Sequence, residues 1–212
     1  METIIVKIEK EDLDQVIIGQ GNFSIYTCDD IIIVVKDLSA IKPLEIALSY
    51  PGKKILEITE SKLNESQLEY PSKSRYLKSL EYLKDGYRCF AFAEGNTIFG
   101  DLFLEFPRNS GKSFQHPDFK WLGINPGDKD IYLFDGWLKP EQRSRGIAIF
   151  VTQAVMEYAR DNGYEKLYSC CRADNRPSLR LFERLEFTQI GIVRKRQFLT
   201  FKWVSPPTPN GS

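Results

Sequence analysis

The sequence lacks an excess of charge of either sign. Its 212 residues include 29 Lys and Arg and 29 Asp and Glu, so the formal net charge at pH 7 is zero. Proteins that bind nucleic acid usually carry a basic surplus, because they neutralise phosphates. We therefore expect no nucleic-acid partner, and the short basic run at 194–196 is too small to change this interpretation.

Long apolar runs are absent as well. No segment reaches the roughly 20 apolar residues that a membrane-spanning helix needs. The first residues, METIIVKIEKED, show no basic segment followed by an apolar one. With 42% hydrophobic and 27% charged residues, the composition is that of a globular protein. We expect a soluble cytoplasmic protein without a membrane partner.

Histidine and cysteine are scarce. The single histidine is His116, and the four cysteines, Cys28, Cys89, Cys170 and Cys171, lack the spacing of a metal site. Adjacent residues of a strand point to opposite faces, so Cys170 and Cys171 are not expected to pair. We predict no metal, and reduced cysteines that fill the core.

The pattern of apolar residues predicts an α/β chain in three parts. Residues 1–52 contain the β-branched runs TIIVKIE, FSIYT and IIIVVKDL, and are predicted to form a β-rich N-terminal extension. Residues 53–204 alternate predicted strands and helices and form the main domain. The polar residues 205–212, SPPTPNGS, are predicted to be a disordered tail.

The strongest signals in the main domain surround one turn. The apolar run IYLFDGWL is typical of a central strand that is buried on both faces. It leads into LKPEQRSRGIAIF, after which apolar residues recur at helical spacing until Asn162-Gly163 ends the helix. A strand, EKLYSCCRA, and a second helix in DNRPSLRLFERLEF follow.

Other segments are marked less clearly. Hairpins are predicted at 94–96 and around the basic run 194–196, and residues 107–130 are predicted to be a long functional or mobile loop. An earlier helix is predicted from the apolar stripe Tyr76, Leu77, Leu80 and Leu83.

The turn before the first of the two later helices suits a phosphate. The first N–H groups of a helix have no partner within it, and the helix dipole adds partial positive charge. Gly146 lets a ligand approach the backbone, and the small Ala148 keeps the path clear. Each amide bonded to a phosphate oxygen contributes roughly 1.5–3 kcal/mol, so several amides can hold a pyrophosphate. The motif is neither a Walker loop nor a dinucleotide fingerprint, and an ordinary exposed helix start is the alternative.

These residues resemble the GNAT N-acetyltransferase superfamily. The family's R/Q-x-x-G-x-G/A pyrophosphate motif is matched by Arg143, Ser144, Arg145, Gly146, Ile147 and Ala148. Pro140 precedes the motif as in the family's P-E-x-R form, and DNRPSLRLFERLEF resembles its N-x-x-A-x-x-x-Y-x-K-x-G-F segment. The resemblance extends from about residue 54 to about residue 203.

The resemblance implies a fold and a cosubstrate. The fold would be a mixed, mostly antiparallel twisted sheet with two splayed central parallel strands and flanking helices. Acetyl-CoA or another acyl-CoA would place its pyrophosphate on the motif and its pantetheine arm along the backbone of Trp137 and Leu138. Gly136 is a candidate for the bulge that starts the splay. Asn175 would contact the cofactor, although it also suits a plain helix N-cap.

Acetyl transfer to an amine needs a base, because a lysine-type amine has a free pKa near ~10.4. Asp135 is the first candidate, as the only acid in the apolar central strand, and a structural carboxylate paired with Arg or Lys is the alternative. Asp101 and Glu105 follow on the neighbouring strand. His116, which is interpreted as an incidental surface residue, and Tyr132, which is expected to fill the core, are weaker candidates.

Phe182 stands where many members of the family carry a tyrosine that protonates the CoA thiolate. A phenyl ring cannot donate a proton, so Phe182 would only pack against the cofactor arm. We expect an acetyl-CoA (acyl-CoA)-dependent N-acetyltransferase that acts on a primary amine of a small molecule or peptide by direct attack in a ternary complex. The alternative is a catalytically weak acyl-CoA-binding module, in which residues 1–50 dock a partner. The acceptor, and whether the chain forms a homodimer, stay open.

Overall fold

A single mixed sheet runs through the computed structural model of the chain, which describes residues 26–42, 52–65, 68–107, 116–143, 145–198 and 201–209. Its strands are β1 (Tyr26–Asp37), β2 (Lys53–Ile58), β3 (Arg88–Glu94), β4 (Thr97–Glu105), β5 (Asp130–Leu138), β6 (Lys166–Arg172), β7 (Thr188–Phe198), β8 (Phe201–Val204) and β9 (Thr208–Pro209). The hydrogen-bonded order is β2-β3-β4-β5-β6-β1-β7-β8, and β9 pairs with β7. Only the β5–β6 pair is parallel among these described strands. The predicted mixed, mostly antiparallel sheet is therefore confirmed.

Helices cover both faces of this sheet. They are α1 (Glu60–Asn64), α2 (Lys73–Lys84), α3 (Pro117–Leu122), α4 (Ile147–Asp161) and α5 (Arg176–Arg184). Because side chains alternate along a strand, Phe90 and Leu104 pack with α4 on one face, while Ala91 and Phe103 pack with α1 and α2 on the other. Burial on both faces explains the nearly continuous apolar runs of the central strands. No helix in the described ranges is long and apolar enough to cross a membrane.

The helix predicted from the apolar stripe is α2, but one member of that stripe points away from the core. Leu77 is 54% exposed. The buried residues of α2 are instead Arg75 and Ser79. Arg75 faces carboxylates on the sheet. The other members of the stripe, Tyr76, Leu80 and Leu83, are partly buried against the core.

Two predicted connections differ from the structure. The basic residues 194–196 lie inside β7 and not at a hairpin tip, so that prediction is wrong. Their partners across the sheet are acids, since Arg194 binds Asp30 of β1 at 2.7 Å and Lys195 lies opposite Asp29. The predicted loop 107–130 contains α3, while residues 108–115 lie outside the described ranges.

Part of the predicted N-terminal extension lies in the middle of the sheet. β1 pairs with β6 on one side and with β7 on the other, and its Ile33 and Val34 are buried. One sheet therefore crosses the predicted boundary at residue 52, although the division into domains stays a prediction. The predicted strand TIIVKIE lies outside the described residues. In the tail, Thr208–Pro209 pairs with β7, so the prediction of disorder does not hold there.

Candidate functional site

The parallel strands β5 and β6 pair over only part of their length. Residues 130–133 pair with 166–169, and the pairing ends before Phe134 and Cys170. Farther along, β5 remains bound to β4 and β6 remains bound to β1. The two strands therefore splay apart, and in the described structure their facing edges have no strand partner beyond this point. Such an edge can bind an extended ligand through backbone hydrogen bonds.

The splay begins at a β-bulge. The register of β4 with β5 shifts between Phe103 and Leu104, because β5 contains one extra residue, Phe134. Gly136, predicted as the bulge, pairs regularly with Leu102, so that prediction is wrong. A Cβ atom at Gly136 would lie 3.1 Å from Leu102 Cδ2, so a larger residue would require the Leu102 side chain to shift slightly.

A side-chain hydrogen bond closes the paired part of the two strands. The buried Ser169 of β6 donates its hydroxyl to the carbonyl oxygen of Leu133 on β5 at 2.8 Å. This bond lies at the last paired position before the splay. Ser169 was not predicted to belong to the site, and its only signal in the sequence is a small polar residue within the apolar strand KLYSCCR.

The turn after β5 exposes the start of α4. Gly146 is the N-cap of this helix, with φ +76° and ψ −1°, a left-handed conformation that favours glycine. Gly146 has no side chain that could cap the helix, and the first turn contains no acid. The N–H groups of Ile147 and Ala148 therefore have no partner within the helix. Gly146 thus leaves these N–H groups open at the start of α4, and phosphate binding by the turn stays a prediction.

Basic side chains flank this turn. Arg143 donates from Nε to the carbonyl oxygen of Leu138 at 3.2 Å, which ties the turn to the end of β5. Arg145 is exposed one residue before the N-cap, and Ser144 lies outside the described residues. The two arginines add positive charge to the positive end of the helix dipole. Cations are unfavourable at a helix N-terminus unless an anion is bound there, so the role of the two arginines in anion binding stays a prediction.

Residues of the splayed half of β5 point to both faces of the sheet. Trp137 packs in the cluster on the α2 side, with its ring centroid 6.1 Å from that of Tyr70. Leu138 packs in the cluster on the α4 side. Both side chains are thereby held by the core, which leaves the backbone edge of this segment facing β6.

The second predicted cofactor helix, α5, flanks the splayed half of β6. The Asn175 side chain accepts a hydrogen bond from the Ser178 N–H at 3.3 Å, so it acts as the N-cap of α5. Phe182 is 6% exposed and packs with Cys171 of β6 and with Phe187. The ring therefore packs between α5 and the part of the sheet formed by β6 and β1, and it has no proton to donate.

Asp135 is joined to two cations of α2. Its Oδ2 atom lies 2.9 Å from Arg75 Nη1 and 2.8 Å from Lys78 Nζ. Arg75 also binds the buried Asp101 through Nε, at 3.0 Å, and through Nη2. The arrangement found for Asp135 is the paired carboxylate that the sequence left open as the alternative to a base. The partners on α2 were not predicted.

Burial and charge oppose each other in this cluster. Burial raises the pKa of Asp101, and the hydrogen bonds and charge of Arg75 offset only part of that effect. Burial acts to lower the pKa of Arg75 and of Lys78, but the contacts with carboxylates outweigh it, so both pKa values are raised. Arg75 and Lys78 therefore stay charged at neutral pH.

Aromatic rings enclose the bulge residue. The centroid of the Phe134 ring lies 4.4 Å from His116, 4.6 Å from Tyr87 and 5.1 Å from Tyr82. The His116 side chain is only 9% exposed, so its interpretation as a surface residue is wrong. Burial lowers the pKa of His116, and its Nδ1 accepts the Asp118 N–H at 3.2 Å. A neutral His116 is therefore part of the wall beside the splay.

The remaining candidates lie on the paired side of the splay. Tyr132 is fully buried, and its hydroxyl donates to Asp118 Oδ2 at 3.0 Å. Burial raises the pKa of Tyr132, so its hydroxyl stays protonated. Glu105 is buried opposite Tyr132 on β4. In the described part of the chain, no group of three His, Cys, Asp or Glu side chains could hold a metal ion.

Comparisons with known proteins agree with this geometry. Residues 54–187 match the sequence model of the Acetyltransferase (GNAT) family. The fold is similar to a GCN5-related N-acetyltransferase from Sphaerobacter thermophilus, with TM-score 0.53 and 16% identity over 83% of this chain and 54% of that one. A Drosophila protein gives TM-score 0.52 and 11% identity over 88% and 53% of the two chains. A functionally unknown conserved protein from Staphylococcus epidermidis gives TM-score 0.52 and 10% identity over 90% and 67%.

The chain thus spans about half of the length of the first two of these structures, 54% and 53%. At such identities the structural likeness shows the fold alone. No curated protein sequence matches the chain.

Proposed function

Because the chain belongs to the GNAT acetyltransferase family, we propose that it is an acyl-CoA-dependent N-acetyltransferase with acetyl-CoA as the donor. The observation that carries the proposal is the splay of β5 from β6 directly before the glycine that starts α4. An open strand edge suits the amide-containing arm of an acyl-CoA. The start of a helix suits its diphosphate.

Residues of β5, the turn and α5 would hold the donor. The backbone of Trp137 and Leu138 would bind the pantetheine arm. The turn of residues 143–148, including Ser144, would bind the pyrophosphate, with the charge of its arginines in support. Asn175 and Phe182 would contact the donor from α5, the latter by packing alone.

Asp135 is the proposed acceptor of the proton that the amine must lose. The neutral amine then attacks the thioester carbonyl carbon and the new N–C bond forms. The nitrogen loses its second proton to water, and the C–S bond breaks as the thiolate of CoA leaves. A backbone N–H of the splayed β5 edge would stabilise the oxyanion. Phe182 supplies no proton, so the thiolate, whose free pKa is near ~8.5 for a cysteine-like thiol, takes its proton from water.

A catalytically weak acyl-CoA-binding module is the second candidate. Two observations favour it, namely the phenyl ring of Phe182 and the ion pairs that occupy Asp135. Release of free thiol from acetyl-CoA with a panel of primary amines separates the two candidates. Steady turnover with any amine removes the binding-only candidate, and tight CoA binding without turnover supports it.

The acceptor is proposed as a primary amine of a small molecule or peptide. The balanced charge gives no reason to propose a nucleic-acid partner. The cytoplasmic location and the homodimer stay predictions.

Two matched glycines provide the test of donor binding. Gly146 and Gly163 both have left-handed backbones, with φ +76° and +83°, and they lie at opposite ends of α4. Gly146→Glu places bulk and negative charge where the diphosphate would lie. Loss of two amide–phosphate bonds, at roughly 1.5 kcal/mol or more each, would weaken CoA binding at least ~100-fold by calorimetry. Gly163→Glu carries the same backbone strain and should bind CoA like the parent. Undiminished affinity in Gly146→Glu, or an equal loss in both variants, would contradict the proposal.

A further inference from the structure

The ammonium group of Lys78 on α2 forms an ion pair with the carboxylate of Asp135, which lies beside the splay. Its Nζ atom is 2.8 Å from Asp135 Oδ2 and 5.3 Å from the centroid of the Tyr82 ring. The ammonium group therefore lies between one carboxylate oxygen and one aromatic ring. These are the two kinds of group that bind organic ammonium ions in proteins.

The two cations at Asp135 are held very differently. Arg75 is 7% exposed and is anchored by its bonds to the buried Asp101. The Lys78 side chain is 47% exposed and reaches in from the surface of α2. A lysine ion pair at this exposure stabilises a protein only slightly. Lys78 can therefore leave Asp135 at small cost, whereas Arg75 stays and keeps the carboxylate in place.

The contact between Lys78 and Asp135 lies close to the place where the acyl group would react. Asp135 directly follows Phe134, the bulge residue at which β5 leaves β6. Under the proposed function, the acyl group lies along this same edge of β5, so an amine bound to Asp135 would be next to it. We propose that Asp135 and Tyr82 form an ammonium site for a primary alkylamine acceptor, and that Lys78 is a tethered occupant which the acceptor displaces. The inference rests on the proposed function for its link to catalysis.

An internal competitor lowers apparent affinity by the fraction of time for which it fills the site. A half-exposed ion pair of ordinary strength corresponds to a competition of about two- to fivefold. Removal of the Lys78 amine should therefore tighten acceptor binding by about this factor, which is a gain that a damaged fold would not produce.

The direct test is a titration of the full chain with butylammonium chloride, whose carbon chain and amine reproduce the lysine side chain. Binding is followed by NMR through the amide signals of Asp135 and Tyr82. Lys78→Ala should lower the Kd about two- to fivefold relative to the parent chain, and Lys78→Arg should keep the parent value. Lys84→Ala is the matched control, because Lys84 is an exposed lysine of the same helix and its loss changes the net charge equally. Lys78→Gln repeats the test if the alanine variant does not fold.

Three results would overturn the inference. They are an equal Kd in the parent and Lys78→Ala, an equal gain in Lys84→Ala, and a gain that persists when Asp135→Asn is added to Lys78→Ala. Thiol release from acetyl-CoA with butylamine is measured separately. If Lys78→Ala binds butylammonium more tightly but the chain neither releases thiol nor binds CoA, the proposed function is wrong and the ammonium site is supported. If the chain turns over butylamine but all variants bind butylammonium equally, the proposed function is supported and the ammonium site is wrong.

Discussion

Arg75→Met tests the charge balance beneath the candidate site. Arg75 is 7% exposed and binds both Asp101, which is 2% exposed, and Asp135. Methionine keeps the apolar stem of the side chain but leaves Asp101 buried without its cation. Removing one partner of a buried ion pair costs about 3–5 kcal/mol. We expect a loss of that size in the free energy of unfolding at neutral pH.

The pH dependence of this loss has a definite sign. Burial already raises the pKa of Asp101 in the folded parent, and without Arg75 the main opposing effect is gone. A carboxyl group whose folded pKa lies above its unfolded value stabilises the fold at low pH, and this stabilisation is lost as pH rises through the folded pKa. Arg75→Met should therefore lose more stability at pH ~8 than at pH ~5.

Urea unfolding at these two pH values measures both effects. Adding Asp101→Asn to Arg75→Met should remove the pH-dependent part of the loss, because an amide does not ionise, and should recover part of the stability. The reasoning is refuted if Arg75→Met costs less than about 1 kcal/mol at both pH values, or if the double variant is no more stable than the single one.

The remaining predictions concern β5 itself. Asp135→Asn should lower the rate of acetyl transfer and leave CoA affinity intact, and an unchanged rate would remove Asp135 as the base. Gly100→Ala places a Cβ atom 2.6 Å from Leu138 Cδ1 and 3.1 Å from the Trp137 carbonyl oxygen. It should cost about 1–3 kcal/mol in urea unfolding and weaken CoA binding, whereas Gly127→Ala, whose nearest atom is 3.5 Å away, should change neither. Equal stability of the two alanine variants would contradict this account.

The elements around the turn were predictable because their signals are local. The apolar run of β5, the Asn162-Gly163 end of α4 and Pro177 in the first turn of α5 each act within a few residues. Local signals also led to the wrong position for the bulge, at Gly136 and not at Phe134. Glycine permits a bulge, but the register with β4 decides where the extra residue lies, and that register is a property of two strands.

The candidate site was predictable only in part for the same reason. Asp135 was chosen because it is the only acid in an apolar strand, but its partner Arg75 lies 60 residues earlier in the chain. Likewise, His116 was interpreted as a surface residue because the segment around it is polar, whereas tertiary packing against Phe134 and Tyr87 buries it. Contacts of this kind depend on topology, which no short pattern contains.

The position of β1 determines when during synthesis this strand can pair with its neighbours. Residues 31–35 of β1 are synthesised well before both neighbouring strands, β6 and β7, which lie beyond residue 165. A growing chain must therefore carry this apolar strand unpaired until β6 and β7 have also been synthesised. Unpaired apolar strands of this kind can aggregate with other chains and bind chaperones. A trimmed version that starts after residue 42 would lose an interior strand and leave β6 and β7 without the element that joins them.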